Sequence, residues 1–171
     1  MICRKLAASL IIGTLALAGC ATAVDRRATA REAAADAAYP PPGQFVTGDG
    51  IRLHAEVRGS GPDLVLIHGA SGNTRDFSFA LMDRLAPHYR VIAFDRPGMG
   101  YSDALEGREI SPLVQGDLLR RAALQLGAEK PLVLGHSYGG AVALGWALTA
   151  PEPPAGLVLL SAATMPWPGG L

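Results

Sequence analysis

From residue 45 onward, continuous apolar runs alternate with segments whose apolar residues recur at helical spacing. "DLVLIHG" (63–69), "YRVIAFD" (89–95), "PLVLGHS" (131–137) and "GLVLLSA" (156–162) are short apolar runs ending in turn residues, the pattern of strands buried on both faces of a parallel sheet. Ahead of them, "FVTGDGIRLHAEVRG" (45–59) sets Asp49-Gly50 between two alternating segments and predicts a β-hairpin. Three helices are predicted among the strands. One begins near Asn73 or Thr74, with Asp76 placed to help cap it, and runs to about Leu85. A second opens on Ser111-Pro112, a capping side chain followed by proline at the first helical position; it carries Val114, Leu118, Ala122 and Leu126 four apart and stops at Gly127. The third follows Ser137 to about Ala150 and is halted by Pro151. This alternation predicts an α/β fold: a mostly parallel sheet with helices on both faces and the hairpin as an antiparallel edge.

The first 44 residues stand outside that pattern. Residues 1–19 have a basic start (Arg4, Lys5), an apolar run from Leu6 to Ala18 and then small residues, the layout of a secretory signal. The run is short for a bilayer span. Its end, Leu17-Ala18-Gly19-Cys20, resembles the lipobox of bacterial lipoproteins, which implies lipidation of Cys20. The alternative is an ordinary secretory peptide cut near Ala18 or Ala21, with a secreted or periplasmic product. The lipobox places the protein in the bacterial cell envelope, held to the membrane by its lipid; Ala21 after the cysteine favours the outer membrane, facing the periplasm, over the inner one. Residues 20–44, rich in Ala, Arg, Asp and Glu and closing on Tyr39-Pro40-Pro41-Pro42, read as an unstructured tether. The folded domain is 45–171.

Composition narrows the classes. With 171 residues, 49% of them apolar, the chain has material for one core, and its net charge of zero without a Lys/Arg cluster excludes the nucleic-acid binders. Cys3 leaves with the signal and Cys20 is acylated, so no thiol remains for a disulfide or a cysteine metal site. Neither metal nor cofactor is expected.

In an open parallel sheet, chemistry gathers beyond the carboxyl ends of the strands, and three motifs sit there. Gly135-His136-Ser137-Tyr138-Gly139 forms a G-x-S-x-G turn between strand and helix, which forces the serine into a strained conformation and presents its hydroxyl to the pocket. His68-Gly69-Ala70-Ser71-Gly72-Asn73 follows the strand "LVLI" and can aim a backbone N–H, that of Ala70, at the point reached by the Tyr138 N–H, so that the two make an oxyanion hole. In Asp95-Arg96-Pro97-Gly98-Met99-Gly100-Tyr101-Ser102, Asp95 and Arg96 read as braces of the pocket wall, joined as an ion pair.

Together the motifs "LIHG", "DRPGMGYS" and "GHSYGG" resemble the α/β-hydrolase family, in particular its esterase, peptidase and haloperoxidase-like members, over residues 43–165. The resemblance implies a Ser-His-Asp enzyme with Ser137 as nucleophile and Ala70 and Tyr138 as oxyanion donors. Serine rather than aspartate at the elbow implies acyl transfer on an ester, amide or thioester, and the substrate partner is a small acyl compound. Yet the only histidines are His54, His68, His88 and His136, and none follows Ser137, where the family carries its acid and base. The chain is therefore expected to be the N-terminal portion of a lipid-anchored hydrolase, inactive alone. The competing class is a non-catalytic binding or scaffold module, or a truncated pseudoenzyme. Tyr138, Phe77 and Trp167 are candidate pocket-lining residues, with core or rim the favoured reading of each.

Overall fold

The computed structural model describes residues 2–105 and 110–165; of residues 2–18 and 36 only the backbone is described. Residues 1–41 form one unit and residues 42–171 another. The first holds a single helix, α1 (Ile2–Ala38). The backbone is thus helical through most of the segment expected to be an unstructured tether. Alanine has the highest helix propensity, and the side chains of 19–35 are all exposed, so propensity rather than packing accounts for this helix. It ends where Pro40 restricts the residue before it. No helix among the described residues is long and apolar enough to cross a membrane.

The second unit is a six-stranded sheet in the order β1-β2-β4-β3-β5-β6, with β1 (Gln44–Gly48), β2 (Ile51–Arg58), β3 (Asp63–Ile67), β4 (Arg90–Phe94), β5 (Leu132–His136) and β6 (Gly156–Leu160). β1 and β2 form the expected hairpin across Asp49 (φ 50°) and Gly50 (φ 77°), the left-handed pair that a two-residue turn of this hand requires. β2 joins β4 antiparallel; the remaining pairings are parallel. β3 and β4 are buried from their second residues onward, as their apolar runs require. β6 departs from that pattern: Val158, Leu159 and Leu160 are exposed, because among the described residues the strand pairs only with β5.

Helices lie on both faces. α4 (Pro112–Gln125) is capped by the Ser111 hydroxyl, which accepts from Val114 N–H, and closes with Ala128 N–H donating to the Ala123 carbonyl and Gly127 at φ 76°. With α5 (Tyr138–Thr149) it buries Leu118, Leu119, Ala122, Val142 and Trp146 against Leu53, Val65, Ile67 and Phe94. The other face carries Phe77 and Met82 over Leu64, Leu66 and Val91. There the single predicted helix is two short ones, α2 (Arg75–Ser78) and α3 (Leu81–Leu85), interrupted at Ala80 (φ −153°, ψ −36°). Residues five apart on one helix sit about 140° apart around its axis, so Phe77 and Met82 reach the same core only if the helix breaks. Asp76 caps nothing here. The Thr74 N–H donates to Asp95 Oδ1 instead.

Candidate active site

β5 ends at His136 and α5 begins at Tyr138, which leaves Ser137 alone to make the turn. It adopts φ 53°, ψ −121°, a conformation that costs a non-glycine residue about 1–3 kcal/mol. Three backbone bonds enforce it. Ser137 N–H donates to the Leu160 carbonyl (2.9 Å), and the Ser137 carbonyl accepts from Gly140 N–H and Ala163 N–H (both 3.0 Å). A Cβ on Gly135 would stand 2.2 Å from the Gly139 carbonyl oxygen, and one on Gly139 2.2 Å from that of Ile67, so both flanking positions need glycine for space. Ser137 is half-buried, and among the described residues its hydroxyl has no hydrogen-bond partner.

The turn after β3 abuts this elbow: a Cβ on Gly69 would lie 3.1 Å from Ser137 Cβ. Ala70 is exposed. The Gly69 carbonyl accepts from Arg96 Nη2 (2.8 Å), from His68 Nδ1 (2.9 Å) and, at 3.4 Å, from Gly72 N–H. Neither the Ala70 N–H nor the Tyr138 N–H, in the first turn of α5, meets an acceptor among the described residues. A serine hydroxyl and two unpaired amides thus gather at the carboxyl ends of β3 and β5, with the positive end of the α5 dipole toward them.

Behind the turn lies a buried polar layer whose pairing differs from the sequence expectation. Asp95 and Arg96 do not pair with each other. Asp95, fully buried, accepts from His54 Nδ1 (2.8 Å), Thr74 N–H (2.6 Å) and Tyr101 N–H (3.0 Å). Burial alone would raise its carboxyl; the His54 bond and the two backbone donors outweigh that and hold it below the ordinary value. His54 is also fully buried, and its Nε2 faces the Pro42 carbonyl, so both ring nitrogens face oxygen acceptors, an arrangement that favours the doubly protonated ring. Burial works against that charge, yet the Asp95 and Pro42 bonds raise its imidazole above the usual value. Arg96 turns the other way: Nε donates to the His68 carbonyl (3.1 Å), Nη1 to Gln115 Oε1 (2.9 Å) and Nη2 to Gly69, and the guanidinium lies 4.8 Å from the centre of the Tyr138 ring.

None of the four histidines is bonded to Ser137 among the described residues. His68 Nε2 accepts from Arg96 N–H (2.9 Å) and its Nδ1–H donates to Gly69, which fixes a neutral tautomer with both nitrogens engaged. Burial pushes this imidazole below its ordinary value, and the Arg96 charge adds to the effect. His54 is held by Asp95 and Pro42. His88 lies near Gly61, at the amino ends of β3 and β4, across the sheet from Ser137. His136 shares the face of Leu132 and Leu134.

Phe77 is part of the core, the favoured of its two readings; Tyr138 is half-buried beside Arg96, and Trp167 lies outside the described residues. A cleft of about 160 Å³ opens beside Asp95 between Pro42, Thr74, Arg75 and Tyr101, and a groove of about 550 Å³ runs along α4 past Leu113, Asp117 and Arg121. Ser137 lines neither. No cluster of three metal-ligating side chains occurs among the described residues, and Cys20 is free and exposed.

Known proteins resemble this chain in sequence and fold. The chain is 38% identical over 134 residues to the dihydrolipoyllysine-residue acetyltransferase component of the acetoin cleaving system of Cupriavidus necator, covering 77% of this chain and 34% of that one. It is 36% identical over 122 residues to the pimeloyl-[acyl-carrier protein] methyl ester esterase of Vibrio campbellii, covering 68% and 45%. The solved esterase from Exiguobacterium antarcticum superposes with a TM-score of 0.65 at 31% identity, covering 71% of this chain and 46% of that one. The chain spans less than half the length of these relatives. Residues 62–170 match the family model described as the alpha/beta hydrolase fold. On that match and the sheet order, the chain belongs to the α/β-hydrolase fold family.

Proposed function

We propose that Ser137 is the nucleophile of a serine hydrolase acting on an ester, amide or thioester. Its Oγ attacks the carbonyl carbon, and the carbonyl oxygen takes up the negative charge and accepts from the N–H groups of Ala70 and Tyr138. Collapse expels the leaving group, which departs with a proton, and water then cleaves the acyl-Ser137 ester to release the acid and restore the hydroxyl. The observation that carries this reading is the backbone of Ser137. A non-glycine residue is held at φ 53° with its hydroxyl unpartnered among the described residues, beside two amides that meet no acceptor among them. The esterase among the relatives supports the acyl class.

A general base is the part these residues do not supply: no histidine follows Ser137, and His54 and His68 are committed to other bonds. The acid and base are proposed to come from residues outside the 171. The chain by itself then retains only what the oxyanion donors and binding provide, roughly 10³- to 10⁴-fold over water. Lipidation of Cys20 is proposed to anchor the protein at the bacterial envelope. The same lack of a base favours the second reading, a binding or scaffold module.

A p-nitrophenyl acetate assay with fluorophosphonate labelling separates the two. The 171 residues alone should show slow turnover and poor labelling. Extended by whatever reading frame follows Leu171, they should gain both and lose both on Ser137→Ala. Fast, Ser137-dependent turnover by the 171 residues alone overturns the missing-base argument, and an extended chain that stays inert overturns the hydrolase reading.

A further inference from the structure

Arg96 is 3% exposed, and no carboxylate lies within ion-pair distance of it among the described residues. A buried cation without a counter-charge is unfavourable unless its hydrogen bonds replace the water it has lost. The bonds it makes run to the His68 and Gly69 carbonyls and to Gln115, and its plane lies against the Tyr138 ring. His68 and Gly69 are the two residues directly ahead of Ala70. Tyr138 directly follows Ser137. One side chain therefore touches both segments that carry the candidate oxyanion donors, while touching neither donor.

We propose that Arg96 is the positioning residue of the oxyanion hole: its guanidinium sets the plane and the donor strength of the Gly69–Ala70 peptide and fixes the Tyr138 end of the elbow against it. This inference rests on the reading of the Ala70 and Tyr138 amides as the hole. The Gly69 carbonyl and the Ala70 N–H belong to one trans peptide and so point in opposite directions. With Arg96 Nη2 and His68 Nδ1 both donating to the carbonyl at under 3 Å, the peptide cannot rotate without losing two bonds, one of them charge-assisted. Its N–H is thereby held pointing away from Arg96, with no acceptor for it among the described residues. A cation on the carbonyl oxygen also draws electron density out of the amide, and hydrogen bonds linked in this way strengthen one another by about 10–30% each. His68 is the second half of the device. Its Nε2 is pinned by the Arg96 N–H, which leaves Nδ1 as the donor to Gly69. Backbone and side chain of Arg96 thus act on the same carbonyl from two sides.

Slow labelling of Ser137 by an alkyl fluorophosphonate, raised in alkaline buffer where hydroxide stands in for the missing base and followed over hours, tests this on the chain itself. The Oγ–P bond forms as the P–F bond breaks, fluoride leaves, the hydroxyl proton passes to solvent base, and the phosphoryl oxygen occupies the hole. The binding constant KI and the maximal rate kinact are measured separately. A donor aimed at the transition state acts on kinact; a mere loss of packing would weaken KI and thermal stability together. Because removal of a whole oxyanion donor costs about 10²- to 10³-fold, Arg96→Lys, whose compact ammonium lacks the planar fork that spans the His68 and Gly69 carbonyls and Gln115 together, should lower kinact about 10-fold with KI within about twofold of wild type. Arg96→Ala should lower kinact about 100-fold by the same scale, with part of the rate restored by added ethylguanidinium. If Arg96→Ala does not fold, Arg96→Lys decides. Ala70→Pro, which deletes the amide hydrogen, tests the underlying reading: wild-type kinact in that variant overturns Ala70 as a donor. Slow Ala70→Pro beside wild-type kinact in Arg96→Lys leaves the hole standing and overturns the role of Arg96, as does a loss in Arg96→Lys that falls equally on KI and kinact.

Discussion

Replacing Asp95 with asparagine tests whether the buried His54–Asp95 contact is an ion pair. The carboxylate accepts from one ring nitrogen and two backbone amides at 2.6 to 3.0 Å, all in a fully buried setting. An asparagine oxygen can keep the amides in part but offers His54 no charge. Removing one partner of a buried pair costs about 3–5 kcal/mol, because the other charge is left uncompensated. For a small domain that is a large share of the roughly 5–15 kcal/mol total. With a urea slope of about 1–3 kcal/mol/M, the midpoint should fall by roughly 2 M. Trp146, 2% exposed, gives the fluorescence signal.

The pH dependence of that difference carries the decisive sign. Asp95 is held below its ordinary 3.8, so its contribution is complete above that value and is lost as pH falls through the folded-state pKa. His54 is held above 6.5, so its contribution is complete below 6.5 and is lost as pH rises through its own folded-state value. The pair therefore stabilises most between 3.8 and 6.5, and the gap between wild type and Asp95→Asn should be widest there and narrow on the alkaline side. His68 acts with the opposite sign. Its lowered pKa weakens the fold as pH drops below 6.5, but it is present in both proteins and cancels in the difference. A gap below about 1 kcal/mol, under the range for a broken buried pair, or one that does not vary with pH, would refute the ion-pair reasoning.

Three further outcomes are expected. Ser137→Gly should raise stability by about 1–2 kcal/mol, since glycine tolerates the positive φ that serine occupies under strain; an unchanged melting temperature would mean the turn is not strained. Gly139→Ala should lower stability by about 1–3 kcal/mol or prevent folding, because its methyl would stand 2.2 Å from the Ile67 carbonyl oxygen in the middle of the sheet; a neutral melt would contradict it. Expressed in a bacterium with a palmitate analogue, the chain should take up label and lose it on Cys20→Ala, and label that persists in the variant would refute the lipid anchor.

Much of the fold was legible because its signals are local. Asp49-Gly50 named the hairpin turn, Ser111-Pro112 and Gly127 bracketed α4, and the apolar runs marked β3, β4 and β5 with nearly their observed ends. Where the pattern misled, the cause was tertiary. A continuous helix over 73–85 satisfies propensity, but the sheet asks for Phe77 and Met82 on one side, and the chain breaks at Ala80 to deliver both.

The site divides along the same line. Ser137 and the His68–Asn73 turn sit in contiguous motifs, so their placement at neighbouring strand ends needs only the strand-helix alternation. The pairing of Asp95 and Arg96 needs the strand order. β4 lies between β2 and β3, with Phe94 opposite Ala55 on one side and Ile67 on the other. One step beyond that level lie Asp95 after β4, His68 after β3 and, since β2 runs antiparallel, His54 just before Ala55, which brings two histidines level with the end of β4. Neighbouring residues in an extended segment point to opposite sides, so Asp95 and Arg96 cannot turn to the same partner or readily to each other. Asp95 takes His54 of β2 and the Thr74 amide, and Arg96 takes the turn after β3 that carries Ala70. Alternation alone argued against the ion pair inferred from their adjacency, and the strand order supplies the partners they have instead.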